Sequence, residues 1–159
     1  MGLKDIIKKS LMGATDEENR INREKMRTIF NQKVENGDAY TLIYCHSEGY
    51  TDAVMVKITR HSNYIVGYKG SGQSALVIIP VDATLSDADD AIMFTKENGA
   101  ATSVSLGYCF VGNDSVGFRL EPITYSPGIN RGSQYHLAVI QSQNEVSDFK
   151  SFCKSGFSE

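Results

Sequence analysis

The spacing of apolar residues changes near Asp38 and divides the chain into a helical part and a strand-rich part. Before Asp38, apolar residues recur every three to four positions, the period of a helix with one buried face. From there to Gln141 they alternate with polar residues or form short β-branched runs, as strands do. After Ser142 the helical period returns. The pattern predicts an α+β protein with N-terminal helices, an antiparallel sheet or partly open barrel of about seven to eight strands, and a C-terminal amphipathic helix.

Two helices are predicted before the strands. The first is a short arm helix with an apolar face formed by Leu3, Ile6, Ile7 and Leu11. The second begins at a capping box, in which Thr15 and Glu18 satisfy each other's backbone N–H groups. It ends near Gly37, which we expect to adopt a left-handed conformation.

The strand candidates are separated by turn residues. They cover residues 40–46, 54–58, 64–68, 76–79, 92–96, 101–111, 116–120 and 135–139. The run 76–79 is continuously apolar and is predicted to be a central strand that stops at Pro80. Asn98-Gly99 predicts a hairpin between 92–96 and 101–111. Within 101–111, alternation predicts one shared face for Val104, Leu106, Tyr108 and Phe110.

A second capping box, Ser142 to Glu145, opens the last helix. Its apolar side carries Val146, Phe149 and Phe152. We therefore expect a helical N-terminal arm at residues 1–37, followed by one strand-rich domain at residues 38–159 that this helix closes.

This order of elements over residues 38–157 resembles the pleckstrin-homology-like barrel, including its bacterial versions. In that family a C-terminal helix plugs the barrel, as Val146, Phe149 and Phe152 would here. The resemblance implies a non-enzymatic binding or scaffold domain. The chain has no Trp, so Phe149 would stand where many members carry one. Residues 47–52 include Glu48 and Asp52, and this acidic loop argues against phosphoinositide binding.

Composition narrows the function classes. A length of 159 residues fits one domain. A net charge of −3 argues against a general nucleic-acid binder, since phosphate binding needs a dense positive face. No apolar stretch approaches the roughly 20 residues of a membrane span. Without a secretory signal, Cys45, Cys109 and Cys153 are expected to be buried, reduced thiols of a cytoplasmic protein.

No motif predicts a catalytic residue, a cofactor site or a metal site. Gly70 to Ala75 has the letters of a dinucleotide fingerprint, but a strand follows it instead of a helix, so a hairpin turn is expected. The histidines lack metal-ligand spacing. The acidic residues between Asp82 and Asp90 lack the spacing of a calcium loop and predict a solvated linker.

The sequence thus favours a non-enzymatic protein- or peptide-binding domain whose partner is a protein or a second copy. An exposed strand edge, the loop 125–132 and the arm helix are the expected surfaces. The candidate contact residues are Tyr125, Asn130 and Arg131 in the loop, and Leu3, Ile7 and Leu11 in the arm.

Two alternatives remain open. The chain could be a small-ligand-binding or enzymatic α+β cone or barrel, with a pocket inside the curved sheet lined by Tyr108, Phe110, Phe118 and Tyr135. It could also associate peripherally with a membrane through the basic arm helix.

Overall fold

The computed structural model of the chain describes residues 16–46, 63–70, 74–82, 84–122 and 139–157. In these ranges the elements are α1 (Asp16–Lys33), β1 (Thr41–His46), β2 (Asn63–Lys69), β3 (Ala75–Val81), β4 (Ile92–Thr95), β5 (Ala101–Ser105), β6 (Tyr108–Gly112), β7 (Gly117–Pro122) and α2 (Gln143–Ser155), with a 3₁₀ turn at Gly37–Ala39. The predicted α+β class is confirmed. The arm helix and the predicted strand at 54–58 lie outside the described residues.

The seven strands form one antiparallel sheet in the order β4-β3-β2-β1-β7-β6-β5. Its two edges, β4 and β5, are consecutive in the chain. A flat sheet would hold them roughly 29 Å apart, whereas the residues that join Thr95 to Ala101 span at most about 21 Å. The sheet therefore curls until its edges approach each other, but it does not close into a barrel.

The central strands are buried on both faces. One core cluster joins the sheet to α2 through Val146, Phe149 and Cys153. The other joins β1, β2 and β3 to α1 through Met26 and Phe30. Every residue of β3 is buried, because one helix covers each face. This double burial explains why residues 76–79 are continuously apolar.

The packing of α1 depends on a glycine in β2. A Cβ atom at Gly67 would overlap the Phe30 ring, so the missing side chain lets the helix approach the sheet. The ring of Phe30 also lies 5.2 Å from that of Tyr40. After the helix, Asn36 takes the left-handed conformation, with a φ of 55°. The prediction of Gly37 for that role was wrong; Gly37 is buried against Asn31, where a Cβ would overlap the Asn31 side chain.

The predicted single strand 101–111 is a hairpin of two strands. Leu106 and Gly107 form its two-residue turn, with φ values of 52° and 82°. The turn changes which residues face the core: Cys109 and Val111 are buried in the cluster under α2, and Tyr108 and Phe110 are only half-buried. The shared face predicted for Val104, Leu106, Tyr108 and Phe110 is therefore wrong.

The hairpin predicted at Asn98-Gly99 is also wrong. The turn exists, with hydrogen bonds from Gly99 N–H to Lys96 O and from Ala100 N–H to Thr95 O. The strands on either side of it then separate to opposite edges of the sheet.

Pro80 does not stop β3. β4 pairs with β3 only at residues 75–78, so the ladder beyond Ile78 requires no N–H group on that side, where proline has none. The Pro80 carbonyl accepts instead from Asp89 N–H at 2.9 Å.

The capping box that opens α2 is confirmed. Glu145 N–H donates to Ser142 Oγ at 3.1 Å, and Ser142 N–H donates to Glu145 Oε1 at 2.9 Å. Just before it, the Gln141 side chain accepts from Tyr44 N–H at 2.8 Å. Along β1, that bond comes next to the described pairing with β7 at Cys45↔Pro122. In the described ranges, no helix is both long and apolar enough to cross a membrane.

Candidate functional site

The two edges of the sheet differ in how their outward backbone groups are satisfied. In β4, the Asn98 side chain donates to Met93 O at 2.8 Å and accepts from Thr95 N–H at 3.1 Å. These are the groups that β4 would offer to a further strand. Asn98 therefore blocks this edge against additional pairing.

The β5 edge has no such cover within the described residues. Ser105 and Tyr108 flank the two-residue turn, so they form its closing hydrogen-bonded pair. Because hydrogen-bonding direction alternates along a strand, Ser103 also bonds to β6, and the N–H and C=O groups of Thr102 and Val104 point outward. No described donor or acceptor pairs with these groups. Among the described residues, the backbone groups on the outer side of β5 are therefore left for pairing with another strand.

Leu106 stands at the tip of the β5–β6 hairpin and is 94% exposed. Its φ of 52° is a left-handed conformation, which costs an L-residue other than Gly, Asn or Asp about 1–2 kcal/mol. Two-residue hairpin turns favour Asn-Gly at these positions. The chain therefore carries an exposed apolar side chain at a position where it also strains the backbone, a combination found at contact sites.

The outer face of the same hairpin carries interface-type side chains. The guanidinium of Arg119 lies 4.7 Å from the centre of the Tyr108 ring. Phe110 is half-buried and pairs across the strands with Arg119 and Ser103. The core cluster beneath α1 includes no described residue of β5, β6 or β7. Tyr, Phe and Arg are enriched in the centres of protein interfaces.

The inner face beside β5 is apolar. Ile92, Ala100, Val104 and Phe152 are only partly buried and pack against the cluster beneath α2. The first three lie on or next to the two edge strands. Thr102 Oγ1 donates to Cys153 O at 2.8 Å and fastens the end of α2 to β5. Apolar side chains therefore line the gap between the two edge strands and form an apolar rim, and α2 holds β5 in place beside it.

The three cysteines behave as core residues. Cys45, Cys109 and Cys153 are free and buried in one cluster, as predicted. Burial raises the pKa of Cys45 well above its usual value, and donation to Cys109 raises the pKa of Cys153. Burial also raises the pKa of Tyr64 and Tyr68 to about 12. Cys45, Cys153, Tyr64 and Tyr68 are therefore protonated at neutral pH. The hydrogen bond from Cys153 lowers the pKa of Cys109, whose side chain is buried in the same cluster.

The acidic loop after β3 is organised by Asp82. Burial would raise the pKa of this carboxyl group, but hydrogen bonds from Thr84, from the backbone of Asp87 and from Ser86 lower it below its usual value. The lowered pKa arises from an internal turn. Within the described ranges, no three His, Cys, Asp or Glu side chains are arranged to hold a metal ion.

The predicted contact residues lie outside the described part of the chain. This applies to Tyr125, Asn130 and Arg131, and to Leu3, Ile7 and Leu11. Of the predicted pocket residues, Phe118 is buried in the core cluster under α2, whereas Tyr108 and Phe110 lie on the opposite face of the sheet. Tyr135 lies outside the described residues. A depression of ≈ 370 Å³ lies elsewhere, at the end of α1, and is lined mostly by polar residues between Asn31 and Ala39.

The β5–β6 hairpin was not predicted as a site, although the sequence carries a signal for it. Between Glu97 and Asp114 there is no charged residue, and this is the longest uncharged stretch of the chain. Exposed edge strands are ordinarily protected by charged residues or proline. An uncharged stretch that contains an edge strand marks a candidate association site.

The described residues define an α+β protein, in which an antiparallel sheet that is not closed into a barrel packs against the C-terminal helix α2. No family model, curated protein or solved structure matches the chain.

Proposed function

We propose that this protein is a non-enzymatic recognition domain that binds an extended segment of a protein by adding it to the edge of β5. The observation that carries the proposal is the pair of outward-facing backbone groups at Thr102 and Val104, beside the exposed Leu106. An added strand receives main-chain hydrogen bonds from such an edge, and alternate side chains provide selectivity.

The two faces of β5 offer different contacts to such a segment. Inward-facing side chains of the added strand would meet the apolar rim that includes Val104 and Phe152. Outward-facing ones would lie beside Ser103 and Ser105, which are small and exposed. The proposal therefore favours an uncharged, alternating apolar and polar segment as the ligand.

The strand order supports the likeness to the pleckstrin-homology-like barrel as part of this proposal. A meander whose first and last strands pair, with a helix that closes one end, is the arrangement that the resemblance implies. We also propose a cytoplasmic location, which the three buried free thiols support because none of them requires an oxidising compartment. The small-ligand and membrane alternatives stay predictions, since no observation on the described residues favours either of them.

The proposal can be tested by selecting a phage-displayed library of random peptides of about twelve residues on the full chain, with Val104→Pro as the comparison. Proline removes the outward N–H of Val104 without removing a bond to β6. Selected peptides should bind Val104→Pro at least about tenfold more weakly, the loss expected from removing one or two hydrogen bonds. Methylation of alternate peptide nitrogens should abolish binding, and methylation of the others should leave it intact.

Glu97→Pro is the matched control, because Glu97 occupies the second position of the turn Lys96 to Gly99, where proline is favoured. Peptides that bind wild type, Glu97→Pro and Val104→Pro equally would place recognition elsewhere. A library that yields no binder to the wild-type chain would contradict the proposal.

A further inference from the structure

We propose that the segment that occupies the β5 edge is β5 of a second copy of this chain, in an antiparallel pair with its two-fold axis at Ser103. This inference rests on the proposed function, since it names the partner of the same edge. The register of β5, the absence of charge around it and the position of Leu106 favour a second copy of the chain as the binding partner.

The register follows from the direction of the backbone groups. In an antiparallel pair about Ser103, Thr102 lies opposite Val104 of the second copy, and Val104 lies opposite Thr102 of the second copy. Both are residues whose N–H and C=O groups point outward. The two pairs form four backbone hydrogen bonds, and Ser103 faces its own copy between them. A pairing of this kind is isologous and closes as a dimer.

The charge pattern permits self-pairing. A symmetric strand pair places identical regions near each other, so a charged residue near the axis would meet its own copy. The stretch between Glu97 and Asp114 contains none. The opposite edge is closed by the Asn98 side chain, so the same molecule blocks one edge and leaves an uncharged edge for pairing.

The same register accounts for Leu106. It places this residue opposite Ala100 of the second copy, which belongs to the partly buried apolar rim. A leucine that is 94% exposed in one molecule is thus brought to an apolar surface of the other, twice in each dimer. This explains why the tip of the hairpin carries leucine where Asn would suit the backbone.

The contact is small. One five-residue strand pair and two leucines form a patch at the low end of specific interfaces, which bury about 1,200–2,000 Å². We therefore expect a reversible dimer whose population depends on concentration.

A charge-swap experiment on the full chain tests the symmetric register. Sedimentation of wild type from about 10 µM to about 1 mM should show an average mass that rises towards twice that of the monomer. Ser103→Lys alone and Ser103→Glu alone should each stay monomeric, because Ser103 faces its own copy and like charges there repel. An equimolar mixture of the two should dimerise again, more tightly than wild type and with a dependence on salt.

Ser115→Lys is the matched control, since Ser115 is exposed in the β6–β7 turn away from the edge, and it should dimerise as wild type does. A wild type that stays monomeric throughout would overturn this inference, and so would dimerisation that Ser103→Lys leaves unchanged. Neither result decides the proposed function. That is tested separately by peptide selection against Val104→Pro, so the two failures are distinguishable.

Discussion

At the scale of single residues, Leu106 and Gly67 both occupy demanding positions but have opposite effects on stability. Leu106 is 94% exposed and takes a strained backbone conformation, and the strain lowers the stability of the free chain. Gly67 gives up a side chain so that the Phe30 ring can lie against β2, which increases burial. The proposed contact with a second copy accounts for the first residue, and packing within the molecule accounts for the second.

Leu106→Asn is expected to stabilise the dilute protein by about 1 kcal/mol, because Asn tolerates a left-handed φ at the first position of this turn. Urea unfolding measures the change. Leu106→Ala removes the same side chain without relieving the backbone and should give no such gain. Equal stability of the two variants would contradict the assignment of backbone strain.

Gly67→Ala is expected to destabilise the protein by about 1–3 kcal/mol, because the added methyl group overlaps the Phe30 ring. Thermal unfolding measures this loss. Adding Phe30→Leu to Gly67→Ala should cost less than Phe30→Leu does alone, since the smaller side chain makes room for the methyl group. Gly70→Ala serves as the control because no atom lies within 4 Å of a Cβ built there.

At the scale of elements, the two edge strands receive unequal protection. The backbone edge of β4 is capped by the Asn98 side chain, whereas the side chains of Thr102 and Val104 hold the inner face of β5 against α2 and its cluster. The hairpin β5–β6 therefore has a fixed inner face and an open backbone edge. Such a combination suits strand addition, because a pre-ordered edge reduces the entropy lost on binding.

Hydrogen exchange along β5 should alternate. The amides of Ser103 and Ser105 bond to β6 and should exchange slowly, whereas those of Thr102 and Val104 point outward and should exchange rapidly in dilute protein. NMR-detected exchange measures each amide. The amides of β6 at Cys109 and Val111, which lie between two strands, are the protected reference. Uniform protection along β5 in dilute protein would show that its edge is already covered.

At the scale of the whole molecule, polar contacts connect the two helices that cover opposite faces of the sheet. Arg23 donates to both carboxylate oxygens of Glu145 at 2.8 Å and to Ile140 O at 2.9 Å. Asn19 accepts from Ile140 N–H at 2.8 Å. Because these bonds join residues about 120 positions apart in sequence, they tie α1 to the start of α2.

A double-mutant cycle on Arg23→Ala and Glu145→Ala should give a coupling free energy of about 0.5–1 kcal/mol, kept small because solvent screens two side chains that are about one-third exposed. Urea unfolding of the four proteins measures it. Arg20→Ala, which removes the exposed pairs with Glu17 and Glu24 on α1, should change stability less than the Arg23–Glu145 coupling does, because solvent screens fully exposed charges.

The same pair predicts a pH dependence. The hydrogen bond from Arg23 lowers the pKa of Glu145 below its ordinary 4.5. The folded-state pKa is therefore below the unfolded one, so the coupling is fully present above about pH 4.5 and is lost as the pH falls through the lowered folded-state value. A coupling that is unchanged at pH 3 would contradict this origin.

Features of the fold that depend on local sequence signals could be predicted from the sequence alone. The helical period placed α1, and the Ser142–Glu145 box placed the start of α2, because both signals act within a few residues. Alternation and β-branched runs predicted the antiparallel sheet. The core position of the three cysteines followed from their apolar character.

Tertiary structure decided what depends on residues far apart in the chain. Residues 108–111 are all apolar, so alternation could not show which of them face the core, and Leu106-Gly107 lacks the Asn that would mark a turn. Asn98-Gly99 has that mark, but curling of the sheet sends its flanking strands to opposite edges, and Asn98 caps one of them. In the part of the chain that the structure describes, the unpaired edge of β5 follows from this strand order, since a strand's outward groups become available only when no neighbouring strand bonds to them.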